Sequence, residues 1–144
     1  MNMFKKVLAT IDLGDEDTSR AVLNGAMEVM SGDDSLHVLC VIPDYGMSVV
    51  GSCFPEDFEE KAIAKAKEAL HEFTKKNVPD GTPVQHIVGH GRIYEEIIAA
   101  AETISADLIV VGSHRPVLKD YLLGPNASRV VRHSNRSVLV VRPD

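Results

Sequence analysis

The sequence predicts a doubly wound α/β domain, in which helices cover both faces of a parallel sheet. Short runs rich in Val, Leu and Ile alternate with stretches of helical periodicity along the chain, a pattern typical of repeated βα units. The run Leu-Ile-Val-Val at residues 108–111 is apolar at every position, as expected of a strand that is buried on both faces. A chain of 144 residues has the usual size of one domain. We therefore expect residues 1–144 to form a single domain.

Five strands are predicted from short apolar runs that are bounded by Gly, Pro or Asp. They are Lys6 to Ile11, Ser35 to Ile42, Val84 to Val88, Leu108 to Val111 and Ser137 to Val141. Helices between them are predicted from apolar residues three or four positions apart. These residues are Leu23, Ala26, Met27 and Met30, then Ala62, Ala66, Leu70 and Phe73, then Ile93, Ile97, Ala101 and Ile104, with a last helical stretch at Arg129 to Ser134. Strands that alternate with helices favour a parallel sheet with right-handed crossovers.

Two connections stand out between these elements. The polar run Gly14 to Asp17 follows the first strand and predicts the cap of the first helix. The segment Pro43 to Pro55, after the second strand, is long for a βα connection and mixes glycines with apolar residues. It is either a lid over a site or a segment that packs on the domain edge or on a partner chain, and both interpretations stay open.

The formal net charge of -6 argues against general nucleic-acid binding, which requires a basic surface. The charge is uneven, because Ser113 to Asp144 contains six Lys or Arg against two acidic residues. Such a basic end suits a small anion or an acidic partner, or it is a solvated surface. The apolar stretch near the amino terminus is too short for a signal peptide or a membrane span, so we expect a cytoplasmic protein.

The sequence carries no motif for a metal centre or a nucleophilic enzyme. The six histidines have no spacing that would place ligands on one helix face. Cys40 and Cys53 form no C-x-x-C motif, and we expect no disulfide framework. Ser113 has no evident base beside it. The Gly-His-Gly sequence at residues 89–91 is interpreted as a turn between strand and helix, and it has no G-x-G-x-x-G continuation that would indicate a dinucleotide site.

The candidate ligand site lies where strands end, because open parallel sheets bind ligands at the carboxyl ends of their strands. The first strand ends at Thr10-Ile11-Asp12, which places a carboxylate there, and the fourth ends in Val111-Gly112-Ser113-His114-Arg115. After the next loop, Gly124 precedes Pro125, a residue suited to the first position of a helix. The following amides would be free to contact an anion, and they belong to Asn126, Ala127 and Ser128. Gly112 would allow another backbone to approach closely.

Four stretches of this sequence closely resemble the universal stress protein family. Val-Gly-Ser-His-Arg-Pro from residue 111, Tyr-Leu-Leu-Gly-Pro-Asn-Ala-Ser from residue 121 and Ser-Val-Leu-Val-Val-Arg-Pro from residue 137 are similar to its carboxyl-terminal signature. Val-Leu-Ala-Thr-Ile-Asp from residue 7 resembles its first strand and acidic residue. The resemblance implies a five-stranded parallel sheet in the order 3-2-1-4-5, with ATP or another adenine nucleotide, and Mg²⁺ as a candidate ion, at the ends of strands one and four. It also implies a homodimer through the last strand, Ser137 to Val141.

Transferred to this chain, the resemblance implies a role for each of several residues. Thr10 and Asp12 would lie beside the base and sugar, the backbone of Val41 against adenine, and Gly112 near the ribose. The phosphate loop would fall on Gly124, Asn126, Ala127 and Ser128. The neighbouring Ile11, Val111, His114 and Pro125 complete the expected site.

The sequence departs from the family's ATP pattern, G-x2-G-x9-G-(S/T). Arg115 stands at the second glycine, one intervening residue is missing, and Pro125 replaces the Ser or Thr. Arg115 could donate to a phosphate in place of the lost backbone approach, or it could plug the site.

Three functions remain open. The chain is a nucleotide-binding regulatory module with little or no hydrolysis, a dimeric interaction module that has lost ATP, or an ATPase that uses Asp12, magnesium and His114. A homodimer also follows from the closing strand, because the last strand of an open sheet exposes unpaired backbone groups that a twin strand would cover.

Overall fold

The computed structural model describes residues 4–30, 35–43, 58–113 and 124–143. The strands are β1 (Lys6–Ile11), β2 (Ser35–Pro43), β3 (Val84–Gly91), β4 (Leu108–Gly112) and β5 (Ser137–Val141). The helices in the described residues are α1 (Glu16–Val29), α2 (Phe58–Asn77), α3 (Ile93–Ile104) and α4 (Pro125–His133). All neighbouring strands pair in parallel, in the order β3-β2-β1-β4-β5. The predicted fold class and strand order are confirmed.

Alternating side chains of β1 build two separate apolar layers. Val7, Ala9 and Ile11 pack on one face of the sheet, together with buried residues of α1 and α2. Leu8 points to the other face, where it joins buried residues of α3 and α4. Successive side chains of a strand point to opposite faces, so both must be apolar when helices cover both. This is why the strands read as continuous apolar runs.

The end of β3 differs from the prediction. Val41, Ile42 and Pro43 of β2 pair with residues 89–91 of β3, so the Gly-His-Gly sequence continues the ladder. The interpretation of these residues as a turn was wrong, because pairing with β2 keeps all three in the strand despite their turn-like composition. Gly91, the last residue of the strand, has φ +143, a backbone conformation that glycine adopts without strain. Pro43 ends β2, and residues 44–57 lie outside the described part, so the two interpretations of the Pro43 to Pro55 segment stay predictions.

The central strands separate at their carboxyl ends. β1 and β4 pair only from Val7–Leu108 to Ala9–Val110. β1 and β2 stay paired as far as Ile11–Cys40. A crevice therefore opens between β1 and β4 beyond Val110, at the point where the strand order reverses.

None of the helices in the described residues is both long and apolar enough to cross a membrane.

Candidate functional site

A cavity of about 480 Å³ lies at the carboxyl edge of the sheet, in the crevice between β1 and β4. Its lining comes from the loop after β1, the ends of β2 and β4, and the first turns of α3 and α4. The structure brings together there ten of the residues that the sequence indicated. They are Thr10, Ile11, Asp12, Val41, Val111, Gly112, Gly124, Pro125, Asn126 and Ala127.

The cavity has an apolar side and a polar side. The apolar side is built on the α3 and α4 face of the sheet by Leu39, Val41, Ile93, Ile97, Val111 and Ala127. The polar side is formed around the start of α1 by Asp12, Gly14, Asp15, Thr18 and Ser19. Small-molecule sites commonly combine an apolar wall with a few placed polar groups. This division suits a ligand with an apolar ring at one end and polar groups at the other.

Thr10 bridges β1 and β4 at the base of the crevice. Its hydroxyl donates to the carbonyl oxygen of Val110 at 3.1 Å. The strands separate just past the pair Ala9–Val110. The Thr10 hydroxyl therefore gives the Val110 carbonyl a hydrogen-bond partner at the point where the backbone pairing of the two strands stops. The Thr10 hydroxyl is therefore used within the protein, while the residue still lines the cavity.

Asp12 is held at the cavity by its neighbours in the loop and helix that follow. Its carboxylate oxygen Oδ1 accepts from the backbone amide of Gly14 at 2.9 Å. The hydroxyl of Ser19, on α1, donates to the Asp12 carbonyl at 2.8 Å and accepts from the Asp12 amide at 2.9 Å. Ser19 is buried, whereas the Asp12 side chain is exposed. The arrangement presents an acceptor carboxylate on a fixed backbone.

Sequence analysis missed Ser19, although a signal for it exists. Ser19 shares helical spacing with Val22, Leu23 and Ala26, which are all buried. A serine on the apolar face of a helix needs a hydrogen-bond partner when it is buried. That position could therefore have indicated a contact with the preceding strand end.

The predicted cap of α1 is confirmed at Asp15. Its side chain accepts from the Thr18 amide at 3.3 Å and from the Thr18 hydroxyl at 2.8 Å. Glu16 and Asp17 in the first turn also favour the positive end of the helix. The start of α1 is thus well defined at the edge of the cavity.

Gly112 has a role in packing that the sequence analysis did not foresee. A Cβ atom at this position would overlap the Cγ2 methyl of Thr18 and lie 3.2 Å from Cγ2 of Val22. The glycine therefore lets α1 pack directly on β4. It lines the cavity as well, but the close approach that requires a glycine is the approach of α1.

The start of α4 faces the cavity with part of its first turn. Gly124 precedes Pro125, and no side chain caps the helix. Asn126 and Ala127 line the cavity, and their amides precede the first intrahelical bond, which runs from the Ser128 amide to the Gly124 carbonyl at 3.0 Å. The Ser128 amide is therefore not free for an anion, contrary to the expectation, and Ser128 does not line the cavity.

The loop between β4 and α4 is only partly described. Ser113 lines the cavity, is 5% exposed, and donates its amide to the Val141 carbonyl at 2.8 Å. His114 and Arg115 lie outside the described residues, so their roles stay predictions.

Cys40, which also lines the cavity, is a poor nucleophile. Burial raises the pKa of its thiol, and the negative charge of Asp12 raises it further. Because the thiolate is the reactive form, the thiol is unreactive at neutral pH. Within the described residues, no group of three or more His, Cys, Asp or Glu could hold a metal ion.

Comparison with known proteins gives consistent results. The model of the "Universal stress protein family" matches residues 3–142. Universal stress protein G of Shigella flexneri is 32% identical over 143 residues, which cover 97% of this chain and all of that protein. The structure of protein MJ0577, a universal stress protein of Methanocaldococcus jannaschii, superposes with a TM-score of 0.81 at 29% identity and covers 99% of this chain and 98% of its own. A universal stress protein solved in complex with cAMP has the same fold, with a TM-score of 0.58, 20% identity and 99% of both chains covered.

Proposed function

The chain belongs to the universal stress protein family, and we propose that it binds an adenine nucleotide, with ATP as the first candidate, in the cavity between β1 and β4. The observation that carries this proposal is the division of the cavity into an apolar wall and a polar rim that ends at a helix start. The fold accommodates such ligands in the relative that was solved with cAMP.

The base would bind against the free edge of β2. Cys40 is the last residue of β2 that pairs with β1, and β2 continues for three more residues to Pro43. The edge of Val41 that faces β1 therefore has no strand partner in the described residues, and its peptide groups can hydrogen-bond the edge of a ring. Ile93 and Ile97 supply the apolar wall beside it.

The sugar and phosphates would bind at the polar rim. The exposed carboxylate of Asp12 can accept hydrogen bonds from ribose hydroxyls or contact a nucleotide-bound Mg²⁺, which commonly uses one or two carboxylates plus phosphates. The amides of Asn126 and Ala127, at the positive end of α4, can donate to a phosphate. Arg115 remains the candidate for an additional phosphate contact.

We propose a regulatory role for the bound nucleotide, with little or no hydrolysis. Among the described residues of the cavity, the titratable side chains are Asp12, Asp15 and Cys40. Asp15 caps α1, and the Cys40 thiol is neutral because its pKa is raised. This set contains no histidine that could activate a water molecule.

Isothermal titration of nucleotide-stripped protein with magnesium ATP tests the proposal. Asn126→Asp places a negative charge on a cavity residue almost without a change of shape, and it should weaken ATP binding about tenfold or more, which corresponds to about 1.4 kcal/mol. Asn24→Asp is the matched control, because it makes the same replacement at an exposed position of α1 that does not line the cavity, and its affinity should stay within about twofold of the parent. Both replacements keep the size of the side chain.

Two results would overturn the proposal. One is the absence of saturable ATP binding in the parent protein, and the other is an equal effect of the two variants. Binding that appears only in Arg115→Ala would indicate a plugged site and would favour the interaction module that has lost ATP.

We also propose that a second copy of the chain pairs along β5. β5 bonds to β4 on one side, and its other edge has no partner in the described residues. Pro143, just beyond the strand, limits further extension of that edge. Sedimentation equilibrium should give twice the chain mass, and a monomer at micromolar concentration would contradict this arrangement.

A further inference from the structure

Two histidines stack between α2 and the edge strand β3, away from the cavity. The rings of His71, on α2, and His86, on β3, have centroids 3.6 Å apart and planes 23° apart. Val84 and Val88, on the same face of β3, pack with the α1 and α2 layer. The histidine pair is therefore part of the contact that attaches α2 to an edge strand of the sheet.

A hydrogen-bond chain links the two histidine residues through Thr74. The hydroxyl of Thr74 donates to the carbonyl of His71 at 3.1 Å, and its oxygen lies 2.7 Å from Nε2 of His86. The Thr74 side chain therefore contacts both histidine residues, the backbone of His71 and the ring of His86. Thr74, which contacts both residues, is buried.

The surroundings of the pair disfavour positive charge. Burial lowers the pKa of His86, and positive charge on His71 and Lys67 lowers it further. Lys67 and His71 are the charged groups of α2 that act on this ring, and the paired residue on β2 is the apolar Val38. No carboxylate in the described residues offsets these charges on His86.

We propose that the His71–His86 stack is a proton-sensitive latch that holds the second half of α2 on β3 when the rings are neutral and loosens it when they are protonated. Two imidazolium rings at stacking distance repel each other, and Lys67 adds to the repulsion. The buried anchors in this half of the helix are Leu70 and Phe73. Loosening would expose part of this apolar surface.

A second histidine contact limits the movement to one end of α2. Nδ1 of His90, near the end of β3, lies 3.0 Å from Oε1 of Glu59, at the start of the helix. Because the partner of His90 is a carboxylate, added positive charge does not repel this contact, whereas it does repel the stacked rings. Acidification should therefore free the end of α2 at Asn77 and keep the end at Glu59 attached to β3.

Amide hydrogen exchange read by NMR tests the latch. Protection factors already correct for the intrinsic effect of pH on exchange. When the pH is lowered from about 7.5 to about 5.5, the protection factors of residues 70–77 should fall. The fall should be up to about tenfold per pH unit for each proton that is taken up. Those of α3 should fall less. His71→Gln changes an exposed side chain and should remove most of the fall, as should His86→Gln. His133→Gln, at an exposed position on α4, is the matched control and should retain it.

Ring NMR of His86 gives a second reading. Lys67→Gln removes a positive charge and should raise the pKa of His86 relative to the parent protein. The latch is overturned if the parent shows no local loss of protection, or if His71→Gln loses as much protection as the parent. Should His86→Gln fail to fold, His71→Gln and Lys67→Gln still decide the outcome.

Discussion

Ser19 shows how a single buried hydroxyl positions the candidate site. It satisfies both the amide and the carbonyl of Asp12, which lies at the end of β1. Ser19 is 1% exposed, so water cannot replace it without rearrangement. The position of the Asp12 carboxylate therefore depends on a residue of the next helix.

Ser19→Ala should lower the free energy of unfolding by about 1–3 kcal/mol, because two buried backbone groups would lose their partner. Urea unfolding measures this change. Thr103→Ala is the control, since the Thr103 hydroxyl donates only within α3 at an exposed position, and it should change stability by about 0.5 kcal/mol or less. Equal losses in the two variants would contradict the role given to Ser19.

Gly112 and Thr18 allow a test of the contact between β4 and α1. Gly112→Ala should destabilise the protein by about 1–3 kcal/mol, because the new methyl overlaps Cγ2 of Thr18. Thr18→Ser removes that methyl and keeps the hydroxyl that bonds Asp15. In urea unfolding, the double variant should be more stable than Gly112→Ala alone. If the serine gives no rescue, the overlap is not the cause of the loss.

At the scale of elements, Asp107 joins the amino ends of β1 and β4. Its Oδ2 accepts from the amides of Lys5 at 3.1 Å and Lys6 at 2.9 Å, and its own amide donates to the Lys6 carbonyl at 2.8 Å. These bonds lie at the edge of the sheet opposite the cavity. They hold β1 and β4 together at their amino ends, whereas the two strands separate at their carboxyl ends, where the cavity lies.

Asp107 should make stability depend on acid pH. The amides of Lys6 and Lys5 lower the pKa of its carboxyl below the ordinary value of 3.8. The unfolded chain therefore binds this proton first, so the contribution is present above about pH 4 and is lost as pH falls through the folded-state pKa. Asp107→Asn should reduce the loss of unfolding free energy between about pH 6 and about pH 3. Asp80→Asn, an exposed carboxylate in another turn, is the control.

Element boundaries show where sequence patterns lose their predictive power. Apolar runs predicted every strand, but β3 continues through three residues whose composition is typical of a turn. Its partner β2 supplies ladder bonds to these residues, and local composition carries no information about a partner strand. The start of α4 at Pro125 was predictable, because the constraint on φ at proline is local.

At the scale of the whole molecule, His37 is a second group, after Asp107, that should make the free energy of unfolding depend on pH. Burial lowers its pKa below the ordinary value of 6.5, and nearby Lys6 lowers it further, whereas a backbone bond near Ser35 acts in the opposite sense. The folded state therefore favours the neutral ring.

The free energy of unfolding should decrease as pH falls below about 6.5, because the unfolded chain binds a proton that folded His37 resists. Urea unfolding at about pH 7.5 and about pH 5.5 measures the decrease, and His37→Gln should make it smaller. An unchanged decrease in His37→Gln would assign the effect to other groups, such as His86.

The sequence by itself determined the parallel α/β class, the cap of α1 and which residues lie at the ends of β1 and β4. These features are encoded locally, in apolar periodicity, in proline and glycine placement and in a family signature. Tertiary structure alone decided that Ser19 holds Asp12, that Gly112 makes room for Thr18, and that His71 stacks on His86. These contacts join residues from different elements, and their distances depend on how helices pack on the sheet, which no single stretch of sequence specifies.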